Sequence, residues 1–243
     1  MKKLLSISLA VVTVLAAAGI FMSFRFDNER VTGNGNQKEE NRPVDAFNSV
    51  AVSGIYNVIL EQGNSCTLRI EAEENLLPYI ETKVKGSTLG IGTKNGYNIE
   101  PTKKINVYIT MKDIKTLSSS GISTFTSKGT LRSDNLELGL SGKTRVDLDI
   151  NVRKLKVGTS GASLVNLKGN AASAEYGISG AGEVAALDLN TDDAEIGVSG
   201  SGKVSVNVNK RLDAGVSGAG RIRYKGNAQV KQGISGAGTV TRI

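Results

Sequence analysis

The residues of this sequence that could act as nucleophiles are serines, because Ser-Gly pairs recur along the second half of the chain. Seven pairs place glycines at Gly121, Gly142, Gly161, Gly180, Gly200, Gly218 and Gly236. A serine hydroxyl needs a general base beside it before it can attack a carbonyl carbon, and histidine most often supplies that base. The chain contains no histidine. We therefore interpret these serines as parts of turns and predict no catalytic residue among them.

Carboxylates are the second group of candidates, since two of them flanking a glycosidic bond can hydrolyse a polysaccharide. Asp147 and Asp149 alternate on one expected strand, and Asp188, Asp192 and Asp193 follow further on. Such a site also needs Arg or Lys in a groove, and a carbohydrate cleft usually contains stacking aromatics. The chain has no Trp and six Tyr. We favour solvated acids on a β-surface and keep a polysaccharide-active enzyme as the alternative.

Thiol and metal chemistry find little support in the sequence. Cys66 is the only cysteine, so neither an intrachain disulfide nor a cysteine-based zinc site can form. It belongs to the alternating run from Cys66 to Ile70 and is expected to face the core as a structural thiol. No calcium-binding string such as D-x-D-x-D-G occurs. We predict no metal site and no cofactor.

The spacing of the Ser-Gly pairs defines a repeat. The seven glycines are 21, 19, 19, 20, 18 and 18 residues apart. Another glycine precedes each of the last six by three positions, and a β-branched aliphatic follows each by four, from Val146 to Val240. Apolar and polar side chains alternate in between. The pattern predicts units of two short half-buried strands, joined at a corner where glycine adopts positive φ without steric cost.

Units of this kind bury their apolar faces only when they stack. We therefore predict an all-β fold in which residues 117–243 form a parallel β-helix, or β-solenoid, with about 18–21 residues per coil. The structural turns are placed at Gly142, Gly161, Gly180, Gly200, Gly218 and Gly236. A disordered Gly-Ser segment would lack β-branched residues at fixed offsets. A left-handed hexapeptide helix would need an aliphatic six residues after Ile196, where Gly202 stands.

The C-terminal end of the predicted solenoid carries no polar cap in residues 238–243. Solenoid ends usually have one, because an open sheet edge invites pairing with another chain. We expect this edge to be covered either by self-association into a homo-oligomer or by a partner.

Residues 46–116 are expected to form a smaller β-rich region before the solenoid. Short alternating runs recur there, after a first Ser53-Gly54 pair. The segment from Glu73 to Leu77 is the one plausible helical turn, and Pro78 is expected to stop it.

The N-terminus has the pattern of an exported protein. Lys2 and Lys3 precede an apolar stretch from Leu4 to Phe24, which is about 21 residues and long enough to span a bilayer. Small residues at 16–18 offer a cleavage site. A cleaved signal peptide and an uncleaved membrane anchor over residues 1–24 therefore both stay open. Residues 25–45 are polar without periodicity, and we expect a flexible tether there.

The formal net charge of the chain is +7. The basic excess is spread along the sequence, and no basic cluster is interleaved with aromatic residues. This distribution indicates solvation, and we expect no nucleic-acid partner.

Three strings of the first folded half resemble a known family. They are the run from Phe47 to Val58 (FNSVAVSGIYNV), the triplet EQG at 61–63 and the run from Glu71 to Thr82 (EAEENLLPYIET). With the GISGAG and GVSGSG turns, they resemble the head GIN domain family of auto-transporter adhesins over about residues 46–243. The resemblance implies an envelope protein of Bacteroidota-type bacteria. It also implies a right-handed parallel β-helix related in shape to pectin lyases but without their catalytic residues, and it carries over no functional residue.

We therefore expect a non-catalytic, adhesin-like binding protein that is exported to the cell surface or periplasm, or secreted. Its ligand is expected to be a protein or a glycan that the sequence does not identify. A repetitive rod without a catalytic constellation favours this function over the polysaccharide-active enzyme. A structural or signalling element of the envelope, anchored through residues 4–24, stays open beside it.

Overall fold

A computed structural model describes residues 28–243, and the predicted leader over residues 1–24 lies outside this range. No helix in residues 28–243 is long and apolar enough to cross a membrane. The strands of this range are β1 (Glu29–Thr32), β2 (Gln37–Arg42), β3 (Ser49–Gln62), β4 (Thr67–Glu73), β5 (Ile80–Lys85), β6 (Thr88–Thr93), β7 (Tyr97–Glu100), β8 (Asn106–Met111), β9 (Thr116–Gly161), β10 (Leu164–Gly180), β11 (Glu183–Gly200), β12 (Lys203–Gly218), β13 (Arg221–Lys225), β14 (Gln229–Ser235) and β15 (Thr239–Arg242).

The repeats form the predicted β-solenoid, with about five turns. Strands β9 to β12 pair in parallel, each with the next, and the pairing keeps the repeat in register from Gly161 to Gly180, Gly200 and Gly218. The apolar positions of successive coils therefore stack on one another and form a continuous core along the axis. The prediction of an all-β fold with parallel coils is confirmed.

A column of glycines runs along one corner of the solenoid, and we call it the corner column. Its members are Gly54, Gly121, Gly142, Gly161, Gly180, Gly200, Gly218 and Gly236. Their φ angles lie between 87° and 124°. A Cβ atom at any member after the first would lie 2.6–3.2 Å from the carbonyl oxygen of the preceding member. Both the backbone conformation and the contact between coils therefore require glycine.

The interior of the same corner changes along the solenoid. Two residues after the column glycine, the early coils carry hydroxyls, and Thr144 Oγ1 lies 3.1 Å from Ser119 Oγ in a hydrogen bond. The later coils carry glycine at this position instead. A Cβ at Gly220 would lie 2.5 Å from Val198 Cγ1 of the preceding coil. Gly202, Gly220 and Gly238 make room for an aliphatic side chain and Gly182 makes room for the Thr159 hydroxyl, and none of the four needs positive φ.

The first coil of the solenoid lies before the boundary predicted at residue 117. Strand β3 pairs in parallel with the start of β9 and sets Gly54 opposite Gly121. On its other side, β6 covers its first half and β8 covers its second half. Antiparallel strands β5, β4 and β2 extend this cover. Residues 67–111 are therefore a cap inserted between two coils, and residues 46–116 do not form a separate region.

The predicted helical turn ending at Pro78 is also different in the structure. The chain forms a 3-10 helix at Leu77–Tyr79, with Pro78 inside it. Proline is tolerated in a first helical turn because the N–H it lacks has no partner there.

The prediction of a flexible tether over residues 25–45 is wrong for residues 29–42, which form β1, β2 and the loop between them. Strand β1 pairs with β7, and β2 pairs with β4. The buried carboxylate of Glu73 holds the loop between them, since it accepts hydrogen bonds from Gly35 N at 2.6 Å and Thr102 N at 2.9 Å. Tertiary partners order this polar segment, and sequence periodicity does not reveal them.

The coil formed by β13 to β15 presents an exposed edge. Strand β14 is exposed along its whole length, and Val230 and Ile234 are 36% and 44% exposed. Within residues 28–243, no strand pairs with the outer sides of β14 and β15. Residues 221–243 contain five basic residues and no acidic one, so two copies meeting edge to edge would bring like charges together. Coverage of this edge by a second copy or by a partner stays a prediction.

The two kinds of corner glycine are expected to respond differently to alanine. Gly218→Ala places Cβ 2.9 Å from Gly200 O at a φ of 106°, so we expect a loss of about 2–4 kcal/mol in the free energy of unfolding. Gly220→Ala clashes with side chains rather than backbone, most severely with Val198 and less with Val216 Cγ1 at 3.2 Å, and we expect a loss of about 1–3 kcal/mol. Denaturant unfolding measures both.

The matched control for this pair is Val198→Ala. It should offset the cost of Gly220→Ala, with a coupling energy of about 1 kcal/mol or more, because it removes the clashing methyl groups. It should not offset the cost of Gly218→Ala, whose clash is with backbone. Equal coupling in both double variants would contradict this account.

Ionised Glu73 is expected to hold the N-terminal strands in place. Burial would raise the pKa of Glu73, but hydrogen bonds from Thr102, Gly35 and Lys103 outweigh it and hold the pKa below its ordinary value. The stabilisation is therefore present above the unfolded-state pKa of about 4.3 and is lost as the pH falls through the lower folded-state pKa. At neutral pH, Glu73→Gln should speed amide hydrogen exchange at Gly35 and Thr102 and cost about 1–3 kcal/mol.

Glu29→Gln is the control for this variant, because Glu29 is an exposed carboxylate on the neighbouring strand β1. It should leave the exchange rates near Gly35 unchanged. Exchange rates that are equal in the two variants would show that the Glu73 carboxylate does not hold this segment.

Candidate functional site

One side of the solenoid carries an open groove of about 700 Å³, which we call the lateral groove. Its position follows from coil length. The intervals Gly121–Gly142 and Gly180–Gly200 span 21 and 20 residues, and each of the two intervals between them spans 19. The longer coils supply the two ends of the groove, and the 19-residue coils supply its floor. The polar lining residues are Thr126, Ser127, Asp147, Asp149, Asn166, Lys168 and Asp188.

The end formed by the 20-residue coil contains a β-bulge. Asn166 of β10 lies opposite Ala185 of β11, but Lys168 lies opposite Asp188. Strand β11 therefore has one residue more than β10 over this stretch. A bulge bends its strand and re-aims the side chains beside it. Leu187 and Asp188 both line the groove, and Asp188 is exposed.

The floor of the groove holds Asp147 between two hydrogen-bond donors. Arg145 Nε donates to Asp147 Oδ2 at 2.7 Å, and Asn166 Nδ2 donates to Asp147 Oδ1 at 2.5 Å. Burial would raise the pKa of Asp147, but these two donors outweigh it and hold the pKa below its ordinary value. Asp147 is therefore a fixed, ionised acceptor at neutral pH.

Asp149 connects the floor to the other end of the groove. Its backbone N–H donates to Ser127 Oγ at 2.9 Å, and Ser127 belongs to the 21-residue coil. Its side-chain Oδ2 lies 3.5 Å from Lys168 Nζ of the next coil. The two floor carboxylates thus each have a partner one coil further on, Asn166 for Asp147 and Lys168 for Asp149.

The structure separates the five aspartates that the sequence singles out. Asp147, Asp149 and Asp188 line the lateral groove. The other two lie outside it and form salt bridges with β12: Asp192 Oδ2 lies 2.9 Å from Lys210 Nζ, and Asp193 Oδ1 lies 2.7 Å from Arg211 Nε. Proximity in sequence did not predict this separation, because the chain turns a corner of the solenoid between Asp188 and Asp192.

Asp147 does not have the environment of a proton donor in glycoside hydrolysis. A glycosidase needs one carboxyl group whose pKa is raised so that it can donate a proton. The pKa of Asp147 is lowered instead. Cys66 lies outside the groove, with Sγ 3.7 Å from Phe47 O. Among the residues that the structure describes, no three His, Cys, Asp or Glu side chains are grouped so that they could hold a metal ion.

Sequence reasoning missed the cross-coil partners of the floor acids, namely Asn166 and Lys168. Neither residue is notable on its own strand. The signal that could have found them is the repeat, because one 19-residue period added to Asp147 and Asp149 leads to these two positions. Parallel in-register pairing then makes residues one period apart neighbours.

A parallel β-solenoid with an antiparallel cap and a polar side groove belongs to the class of all-β repeat proteins that are built around one continuous core. Comparison with family models specifies this class further. The model described as "Putative auto-transporter adhesin, head GIN domain" matches residues 46–228. The chain belongs to this family, and the resemblance stated from its sequence is confirmed.

Solved structures agree with this assignment. A putative adhesin from Bacteroides fragilis has a TM-score of 0.83 and 25% identity, and the match covers 88% of this chain and 100% of that one. A putative adhesin from Parabacteroides merdae has a TM-score of 0.67 and 28% identity, with 88% and 99% covered. A putative lipid binding protein from Parabacteroides distasonis shares the fold, with a TM-score of 0.74, 24% identity, and 88% and 100% covered. No curated protein matches this chain.

The pKa of Asp147 is expected to depend on its two donors. Arg145→Ala should raise it towards the ordinary value of about 3.9, and the double variant with Asn166→Ala should raise it further, since burial then acts unopposed. Carboxyl-carbon NMR titration measures the shift. Arg153→Ala, which removes the partner of Asp134, is the control and should leave Asp147 unchanged. An Asp147 pKa that is insensitive to Arg145→Ala would contradict the described pairing.

Proposed function

We propose that this protein is a non-catalytic adhesin, exported to the cell surface or periplasm, that binds its ligand in the lateral groove. Family membership and the fold shared with solved proteins described as putative adhesins support the adhesin assignment. The basic and apolar leader, with Lys2 and Lys3 before the stretch from Leu4 to Phe24, supports export. The main support for the groove as the binding site is the coil-length pattern. Two longer coils enclose a polar floor, and the acceptors on that floor are fixed in place.

The groove is suited to recognition because its shape does not depend on mobile loops. Its floor and ends belong to strands β9 to β11, which are hydrogen-bonded to their neighbours in a continuous sheet. Polar groups that are held by such a framework lose little conformational freedom when a ligand binds. A rigid, preorganised surface is a property that an adhesin needs.

The polysaccharide-active enzyme has less support. The low pKa of Asp147 makes this floor carboxylate unsuited to the role of general acid. The structural or signalling alternative depends on the leader over residues 4–24, which lies outside the described residues, so no observation of the structure favours it.

The binding function is tested by filling the groove in cells that produce the full chain. Ala185→Trp places a large side chain in the groove, and we expect adhesion to an immobilised panel of matrix proteins and glycans to fall at least about tenfold, since the ligand is displaced. Ser205→Trp is the matched control, because Ser205 occupies the same position one coil further on and does not line the groove. Adhesion that survives Ala185→Trp, or that is absent in the unmodified protein, would contradict the proposal.

The cellular location of the protein is tested in the same cells. Sequencing of the mature N-terminus decides between a cleaved signal peptide and an anchor, and protease accessibility in intact cells reports surface exposure. Protein that is recovered only from the cytoplasm would contradict export.

A further inference from the structure

The charge of the lateral groove is opposite to that of the chain. The whole chain carries a formal charge of +7. The lining contains three carboxylates, Asp147, Asp149 and Asp188, and one ammonium group, Lys168. Arg145 at the rim offsets one more carboxylate, which leaves an excess of one negative charge. An anionic ligand would therefore be attracted to the molecule as a whole but repelled at this groove.

The hydrogen-bonding groups of the groove are mostly acceptors. A carboxylate has about four acceptor positions and no donor. Asp147 uses its oxygens for Arg145 and Asn166, and Asp149 has one contact, from Lys168. Asp188 forms no salt bridge with another residue of the described range. A ligand that complements this groove must bring hydrogen-bond donors, such as hydroxyl or ammonium groups.

Polar groups follow one another along the solenoid axis. Asp147 and Asn166 are cross-coil neighbours, and Lys168 lies between Asp149 and Asp188 of the coils on either side. Neighbouring coils are about 4.8 Å apart, so the four coils of the groove span roughly 15 Å. An extended chain with hydroxyl groups on every unit can meet these positions one after another, whereas a compact ligand meets only one of them.

The exposed lining of the groove is somewhat more apolar than polar, but the groove is open. It is lined by no aromatic residue, so a glycan would be held there by hydrogen bonds and charge rather than by ring stacking. The leucines on its floor, Leu148 and Leu167, are only 2% and 3% exposed. Of its apolar residues with large side chains, Leu187 alone is half-buried. The groove therefore has no enclosed apolar pocket that could surround a lipid acyl chain.

We infer that the lateral groove binds glycan chains built from neutral or amine-bearing sugars and rejects glycans built from acidic sugars. The inference rests on the proposed binding function and adds the ligand class to it. It also reverses the preference that the net charge of the chain suggests, because the carboxylates that line the groove outnumber the cations paired with them.

Three hexasaccharides of equal length test the inference by titration calorimetry on the purified full chain at 0.15 M salt. They are hexamers of glucosamine, N-acetylglucosamine and galacturonic acid. We expect the glucosamine hexamer to bind most tightly, the N-acetylated hexamer to bind more weakly, and the galacturonate hexamer not to bind.

Carboxylate variants locate the site on the groove. Asp149→Asn and Asp188→Asn should each weaken the binding of the glucosamine hexamer about tenfold, since each removes a charged acceptor. Asp192→Asn removes a carboxylate of the same coil as Asp188 that lies outside the groove, and it should leave the affinity unchanged. Unchanged unfolding midpoints confirm that the three variants are folded.

The outcomes separate this inference from the proposed function. Preferred binding of the galacturonate hexamer, loss of affinity in Asp192→Asn equal to that in Asp149→Asn, or binding of none of the three hexamers would each overturn the ligand class. Adhesion that remains sensitive to Ala185→Trp would then still support the groove as the binding site. Adhesion that is insensitive to it would overturn the proposed function as well.

Discussion

The close approach of backbones along the corner column is the constraint on which the rest of the structure depends. Each column glycine lies so near the carbonyl oxygen of the preceding one that a Cβ atom would overlap it. Positive φ at every member turns the chain at the same point in each coil. The coils consequently stack in register, and the apolar positions that the repeat places at fixed offsets from the glycine meet in one core.

Because the corner is fixed, the number of residues in each coil determines the shape of the surface away from the corner. Since every coil must return to the column, an additional residue can only be accommodated away from it, as in the bulge of β11. Two longer coils on either side of two 19-residue coils therefore leave a groove between them. The same register sets Asn166 beside Asp147 and Lys168 beside Asp149, which fixes the acceptors of the groove and keeps Asp147 ionised.

Strands and polar side chains together cover the N-terminal end of the core. Strands β6 and β8 cover β3, and the antiparallel strands beyond them end at β2, whose side chains are mostly charged or amide-bearing. Such an edge resists pairing with another chain. Glu73 is buried in this cap with its carboxylate satisfied by backbone and hydroxyl donors. A buried charge is tolerated where such donors replace the lost water.

The sequence by itself determined the class of fold, the turn glycines and the strand content, because these depend on a local pattern that recurs at each coil. It also contained the family strings and, within the 19-residue period, the pairing of Asp147 with Asn166. Only the tertiary structure decided that Gly54 begins the solenoid, that residues 29–42 are strands rather than a tether, and that Asp188 joins the groove while Asp192 does not. These features arise from contacts between distant segments and from one inserted residue, and neither leaves a periodic signal along the chain.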